Sequence, residues 1–132
     1  QKRVQVIRIS KLSKIWEYQE KHKNNGPISL LFITTNRDKK IATFPRVLIV
    51  CEEGSESSII EGHVSYSDQP SLNVPVVEIN LNNRASLNHY RYMIDNPKGY
   101  HIANTKVSVN EKSHYNSAKF FFEFLFDCGL NL

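Results

Sequence analysis

A unit of about thirty residues recurs along this chain and limits what it can fold into. Placing Ser55 over Ala85 aligns Glu53 with Asn83, Ser57 with Leu87 and Ile60 with Tyr90. Placing Ala85 over Ser113 aligns Leu81 with Val109 and Leu87 with Tyr115. Each copy is an extended segment, a tight corner and a second extended segment. Such a unit cannot bury its own apolar face, so neighbouring copies must stack and share a core. That predicts a β-solenoid. A two-sheet sandwich also fits strands alternating with turns.

The clearest copy covers residues 44–62. Val47, Leu48, Ile49, Val50 and Cys51 form a short β-branched apolar run, the pattern of a strand buried on both faces. Glu52, Glu53, Gly54 and Ser55 form the corner, where Gly54 can take a positive φ at little cost. Ile59 and Ile60 begin the next apolar segment. Upstream, residues 4–9 alternate as a strand. Leu12, Ile15, Trp16 and Gln19 fall at helical spacing, so residues 11–22 are expected to form an amphipathic helix, with Ser10 as its cap. Residues 23–27 break the chain.

From Pro27 onward the sequence reads as β. Strands are expected over residues 28–35, 41–44, 76–81, 85–94 and 100–109, and residues 113–126 form a long apolar-aromatic segment. Residues 62–75 are polar, and their middle is expected to be a loop. Residues 95–99 carry the strongest loop signal. The expected division is an N-terminal strand and helix, 1–26, followed by a partial solenoid core, 27–132.

Composition excludes several classes. The net charge is only +4. Lys and Arg are scattered and adjacent only at Lys2-Arg3 and Lys39-Lys40, so no nucleic-acid face is expected. No apolar run approaches the roughly 20 residues that span a bilayer, so no membrane partner is expected. Cys51 and Cys128 lie far apart without CxxC spacing, which points to a reducing interior. The chain holds one Met and no evident start, and reads as a fragment.

Residues able to carry chemistry have mostly structural readings. His22, His63, His89, His101 and His114 form no HxH, HxxxH or HExxH pattern. Stacking by one period places His89 near Ile59 and Ser117, a poor metal environment, so His89 is expected to pair with a polar group on a neighbouring strand. Cys51 is expected to be buried as a small hydrophobe. Cys128, beside Asp127 and Gly129, is a conceivable soft ligand that lacks a second. Glu52, Glu53, Glu56 and Glu61 cluster at a corner, where acids are normally solvated; catalysis or calcium binding is the competing reading. Ser55, Ser57 and Ser58 lack a nucleophile elbow. No phosphate-binding GxxxxGK[ST] is present. No catalytic, cofactor-binding or metal-binding residue is assigned. The run Phe120-Phe121-Phe122-Glu123-Phe124-Leu125-Phe126 is either a core strand or a contact surface. Its edge is expected to be covered by a second copy, giving a homodimer, or by a further coil.

Three segments also carry a family resemblance. Arg46-x-Leu48-Ile49-x-x-Glu52-Glu53-Gly54 with Ile59-Ile60-Glu61 resembles the core of the SufB/SufD family, scaffold subunits of the SUF iron–sulfur cluster assembly system. Val77-Glu78-Ile79-x-Leu81 with Ala85-x-Leu87-x-His89-Tyr90, and His101-Ile102-Ala103, are similar to SufD more than to SufB. The resemblance runs over residues 27–132. It implies a right-handed parallel β-helix preceded by a strand and helix. The family pattern has further strands between that helix and Pro27, and here the chain departs from it.

The resemblance further implies a non-catalytic scaffold that pairs with a SufB-like paralogue. It implies contact with the SufC ATPase through a C-terminal helical region beyond these residues. A nascent Fe–S cluster would belong to the full assembly, with no cofactor bound by this fragment. The implied location is bacterial cytoplasm or plastid stroma. The family's cluster-related histidine lies beyond Leu132, so no site residue carries over. A carbohydrate-active or carbohydrate-binding β-helix is the alternative.

Overall fold

The computed structural model of the chain describes residues 4–9, 26–36, 38–67 and 69–123. Its strands fall into three parallel sheets. Sheet A has the order β1-β4-β7-β10, from Val4–Ile9, Arg46–Cys51, Val76–Leu81 and Asn104–Val109. Sheet B has the order β11-β8-β5-β2, from His114–Glu123, Ser86–Asp95, Glu56–Ser67 and Ile28–Asn36. Sheet C is β3-β6-β9, from Ile41–Thr43, Ser71–Asn73 and Gly99–His101. The chain visits A, B and C in turn and repeats, so every pairing joins strands one coil apart. That is a β-solenoid, and the parallel pairing rules out the sandwich.

The sequence repeat is the coil. Arg46 pairs with Val76 and Val76 with Asn104. Ile60 lies beside Tyr90, and Leu87 beside both Ser57 and Tyr115. These are the alignments that the residues alone suggest.

The corner from A to B is the same in each coil. Ser55, Ala85 and Ser113 each donate their backbone N–H to the carbonyl three residues earlier. Gly54, Arg84 and Lys112 stack one above another in the left-handed region, at φ 64°, 60° and 56°. Only glycine enters this region freely; an ordinary residue is strained there. Ladder bonds continue through the bend: Gly54 N–H donates to Asn83 O at 2.9 Å, and Arg84 N–H to Glu111 O at 3.0 Å. At the corner from C to A, Pro45 and Pro75 have no N–H to leave unpaired. Their carbonyls accept from Val76 and Asn104.

Strand alternation points one face inward. Val47, Ile49 and Cys51 of β4 and Val77, Ile79 and Leu81 of β7 are buried against Ile59, Ala85 and Leu87. Outside sheet B, Gly62 leaves room for the Tyr92 ring; an added Cβ would lie 2.3 Å from Tyr92 Cζ.

Two expectations need comment. The loop expected in the middle of residues 62–75 is confined to the short gap between β5 and β6, and the polar residues on either side are strand. β5 continues to Ser67, and β6 occupies Ser71–Asn73. The polar residues Ser65, Ser71 and Asn73 are buried, so their polarity marks the inside of the coil. The helix expected over residues 11–22 lies outside the described residues. β1 pairs with β4 in register from Val4↔Arg46 to Ile9↔Cys51, extending sheet A by one coil. Among the described residues, no helix is long and apolar enough to cross a membrane.

Candidate functional site

The strands of sheet B place a polar cluster inside the coil. Period-two alternation turns Ile59, Glu61, His63 and Ser65 to one side of β5. All four are buried, and Glu61 is only 2 % exposed. The neighbouring β8 contributes His89, which is fully buried, and Arg91, which pairs with Glu61 across the ladder. Lys119 follows in β11 beside Arg91. His101 enters from β9 in sheet C, beside Asn73 of β6.

Glu61 is the hub. His63 Nε2 donates to Glu61 Oε1 at 2.7 Å, and His89 Nε2 donates to Oε2 at 2.8 Å. With Nε2 as its donor, a neutral His89 ring can accept the Tyr115 hydroxyl at Nδ1, 3.0 Å away. Burial pushes the Glu61 carboxyl up. The hydrogen bonds and charge of His63 and His89 outweigh that and bring it down from 4.5 to about 2. The group is therefore a carboxylate held between two imidazoles.

The cluster extends by ring contacts. His63 stacks on Phe32 at 4.9 Å and meets the edge of His101 at 4.8 Å. The His101 side chain is 5 % exposed, and its Nδ1 lies 4.0 Å from Asp95 Oδ2. Neither His101 Nδ1, Asp95 Oδ1 nor Arg91 Nε has a hydrogen-bond partner. Burial, then the charge of His63, holds His101 below its ordinary range, and Asp95 opposes the shift. The other two nitrogens of Arg91 donate to Thr105 Oγ1 at 2.7 Å and Ser117 Oγ at 2.9 Å. A cavity of about 10 Å³ lies among Glu61, His63, Arg91, Met93, His101 and Lys119. That is room for about one water molecule.

Further along the same face, Thr34 and Thr43 both donate to Asn73 Oδ1, at 2.9 and 2.6 Å. Asn96 Nδ2 donates to Ser65 Oγ at 3.0 Å. These bonds satisfy Thr34, Asn73 and Ser65, which the coil buries where B meets C.

The candidate residues from the sequence separate clearly. His89 pairs with polar groups on neighbouring strands, as its position predicts. Cys51 is 1 % exposed, and burial pushes its thiol up to about 11. The acidic group does not stay together. Glu53 and Glu56 are exposed at the corner, and Glu53 pairs with Arg84. Glu61 points into the coil, which corrects its reading as a solvated corner acid. Ser55 is buried, and Ser58 accepts from Asn88. His114 is exposed on β11. Phe120, Phe121 and Phe122 are each more than half exposed on β11, at one edge of sheet B. His22 and Cys128 lie outside the described residues. Among the described residues, no three His, Cys, Asp or Glu side chains are grouped to hold a metal ion.

Sequence reasoning missed the Glu61–His63–His101 arrangement. The signal was Glu61-x-His63, two residues apart on one strand face, concealed by the polarity of residues 62–75. The approach of His101 had no local signal, because sheet C brings it in from 38 residues away (101 − 63).

Comparison with known proteins adds a family. Residues 32–123 match the family model described as SUF system FeS cluster assembly, SufBD core domain. A curated relative, an iron–sulfur cluster assembly SufBD family protein of Synechocystis sp., is 33% identical over 98 residues. The match covers 68% of this chain and 22% of that protein. No solved structure matches.

Proposed function

The chain belongs to the SufBD family, and from that premise we propose that it is solenoid framework for a SufD-like scaffold subunit in iron–sulfur cluster assembly. The whole protein pairs with a SufB-like paralogue and works with the SufC ATPase. It catalyses no reaction of its own. A nascent cluster is cargo of the assembled complex, and this segment supplies no ligand to it. The location follows that of the system, bacterial cytoplasm or plastid stroma.

One observation carries this reading: the family match spans residues 32–123, the same stretch whose coils stack in register. The chemistry of the interior supports it. Glu61 spends its oxygens on His63 and His89, and His89 spends its second nitrogen on Tyr115. Cys51 remains a protonated thiol in the apolar core. The signatures His89-Tyr90 and His101-Ile102-Ala103 favour SufD over SufB.

The test is co-expression of the tagged full-length protein with the SufB-like and SufC proteins of its own organism. A stable complex of all three, with no ATPase activity from the tagged subunit alone, is the expected result. Elution of the tagged protein by itself would overturn the pairing.

A further inference from the structure

His101 stands apart from the other interior imidazoles. His63 and His89 each donate to Glu61, whereas the Nδ1 of His101 is buried without a partner. It belongs to sheet C, whose three strands are three residues long, against six to twelve in sheets A and B. The shortest ladder of the molecule therefore carries the imidazole least provided for.

The charges around His101 come from three of the elements packed on it. Glu61 and His63 face it from β5, Asp95 and Arg91 from β8, and Lys119 from β11. Val77 of β7 and Thr105 of β10 bring no charge, and Asn73 of β6 is neutral. Glu61 is already engaged by two imidazoles. Asp95 is the remaining anion, at 4.0 Å, beyond hydrogen-bond reach. Burial is the largest obstacle to a proton on His101; the charges of His63 and Lys119 add to it, and those of Asp95 and Glu61 offset it only in part. Exposing the ring to water removes that conflict.

We propose that His101 is a proton-operated latch on sheet C. Neutral, it lets β9 close over the polar interior; protonated, it releases β9 from β6 and opens the bend between sheets B and C. The latch acts on the solenoid itself and does not depend on which partner the protein binds. Released, β6 and β9 expose the polar interior from Ser71 to His101 to solvent.

Opening returns the ring to its ordinary value of 6.5. One proton taken up only by the open form raises the opening equilibrium up to about tenfold between pH 7.5 and 5.5. The experiment is amide hydrogen exchange by NMR on the full chain at both pH values, corrected for intrinsic exchange. Protection of the β6 and β9 amides is expected to fall up to about tenfold at pH 5.5, while β4 and β7 keep theirs. His101→Gln should remove the pH dependence, and His114→Gln, on the exposed face, should keep it. If His101→Gln does not fold, the imidazole titration of the unaltered protein decides. His101 protonating at or above 6.5 overturns the latch. Equal loss of protection in sheets A and C, or none in either, overturns it as well.

Discussion

The interior of the solenoid has two halves built on opposite principles. Where sheets A and B meet, Val47, Ile49, Cys51, Val77, Ile79, Leu81 and Leu87 pack into one apolar cluster. Where sheets B and C meet, Glu61, His63, Asn73, Ser65 and Ser71 are equally buried, and His89, beside Ile59, reaches Glu61 from the boundary between the halves. The apolar half is held by area removed from water, which is indifferent to pH and to geometry at the level of single bonds. The polar half is stable only while each donor finds its acceptor. The same β5 strand serves both, with Ile59 in one half and Glu61 and His63 in the other. The contrast teaches that coil register does more than align strands. It brings the Glu61 carboxylate, the His89 imidazole and the Tyr115 hydroxyl together from successive coils.

The largest effect should come from the apolar half. Ile79→Ala removes a fully buried side chain at the centre of sheet A and should cost about 3 to 4 kcal/mol. Urea titrations at pH 5 and 8 should give the same loss. A loss that varied with pH would break the division.

Glu61→Gln should cost about 3 kcal/mol at pH 7, from the fall of its carboxyl from 4.5 to about 2. A depressed carboxyl contributes stability that is present above 4.5 and is lost as pH falls towards 2. The penalty of the substitution should therefore shrink through that window. His101 adds a second window by the same rule. A buried imidazole held low in the folded state stabilises above 6.5, and that stability is lost as pH falls below 6.5. Denaturant midpoints followed from pH 8 to 2 would show both.

Smaller effects belong to the corner column that flanks the apolar half. Gly54→Ala places a Cβ at φ 64° and should destabilise by about 1 kcal/mol. Lys112→Gly, at φ 56°, should stabilise by roughly 0.5 to 1 kcal/mol. Thermal midpoints moving in opposite directions would confirm that one backbone conformation is repeated. The smallest effect is chemical. In a Cys128→Ser background, Cys51 should give no colour with a thiol reagent until denaturant is added, since its thiol lies near 11 and inside the core.

Much of this arrangement is legible in the residues. Aligning Ser55, Ala85 and Ser113 puts Gly54, Arg84 and Lys112 in one column, and all three share a left-handed backbone. The same alignment gives the strand register. The strands at residues 62–67 and 71–73 are not legible, because their polarity resembles that of a loop. A strand reads as polar on both faces when its inner face meets hydrogen-bonding groups, and Ser65, Ser71 and Asn73 do so.

The sequence by itself determined the coil and the family. A repeat of about thirty residues whose members cannot bury their apolar faces alone has few foldings other than stacking. It also determined that the run at residues 47–51 is a core strand, since five consecutive apolar residues are a local signal; which of its faces turns inward was left to the structure. Only the tertiary structure decided the interior of the B–C half. Glu61 looks like one more corner acid until β5 turns it inward, between an imidazole two residues away and another on the next coil. His101 meets His63 because sheet C closes the coil upon sheet B. Those contacts depend on distances across the lumen, which no periodicity along the chain encodes.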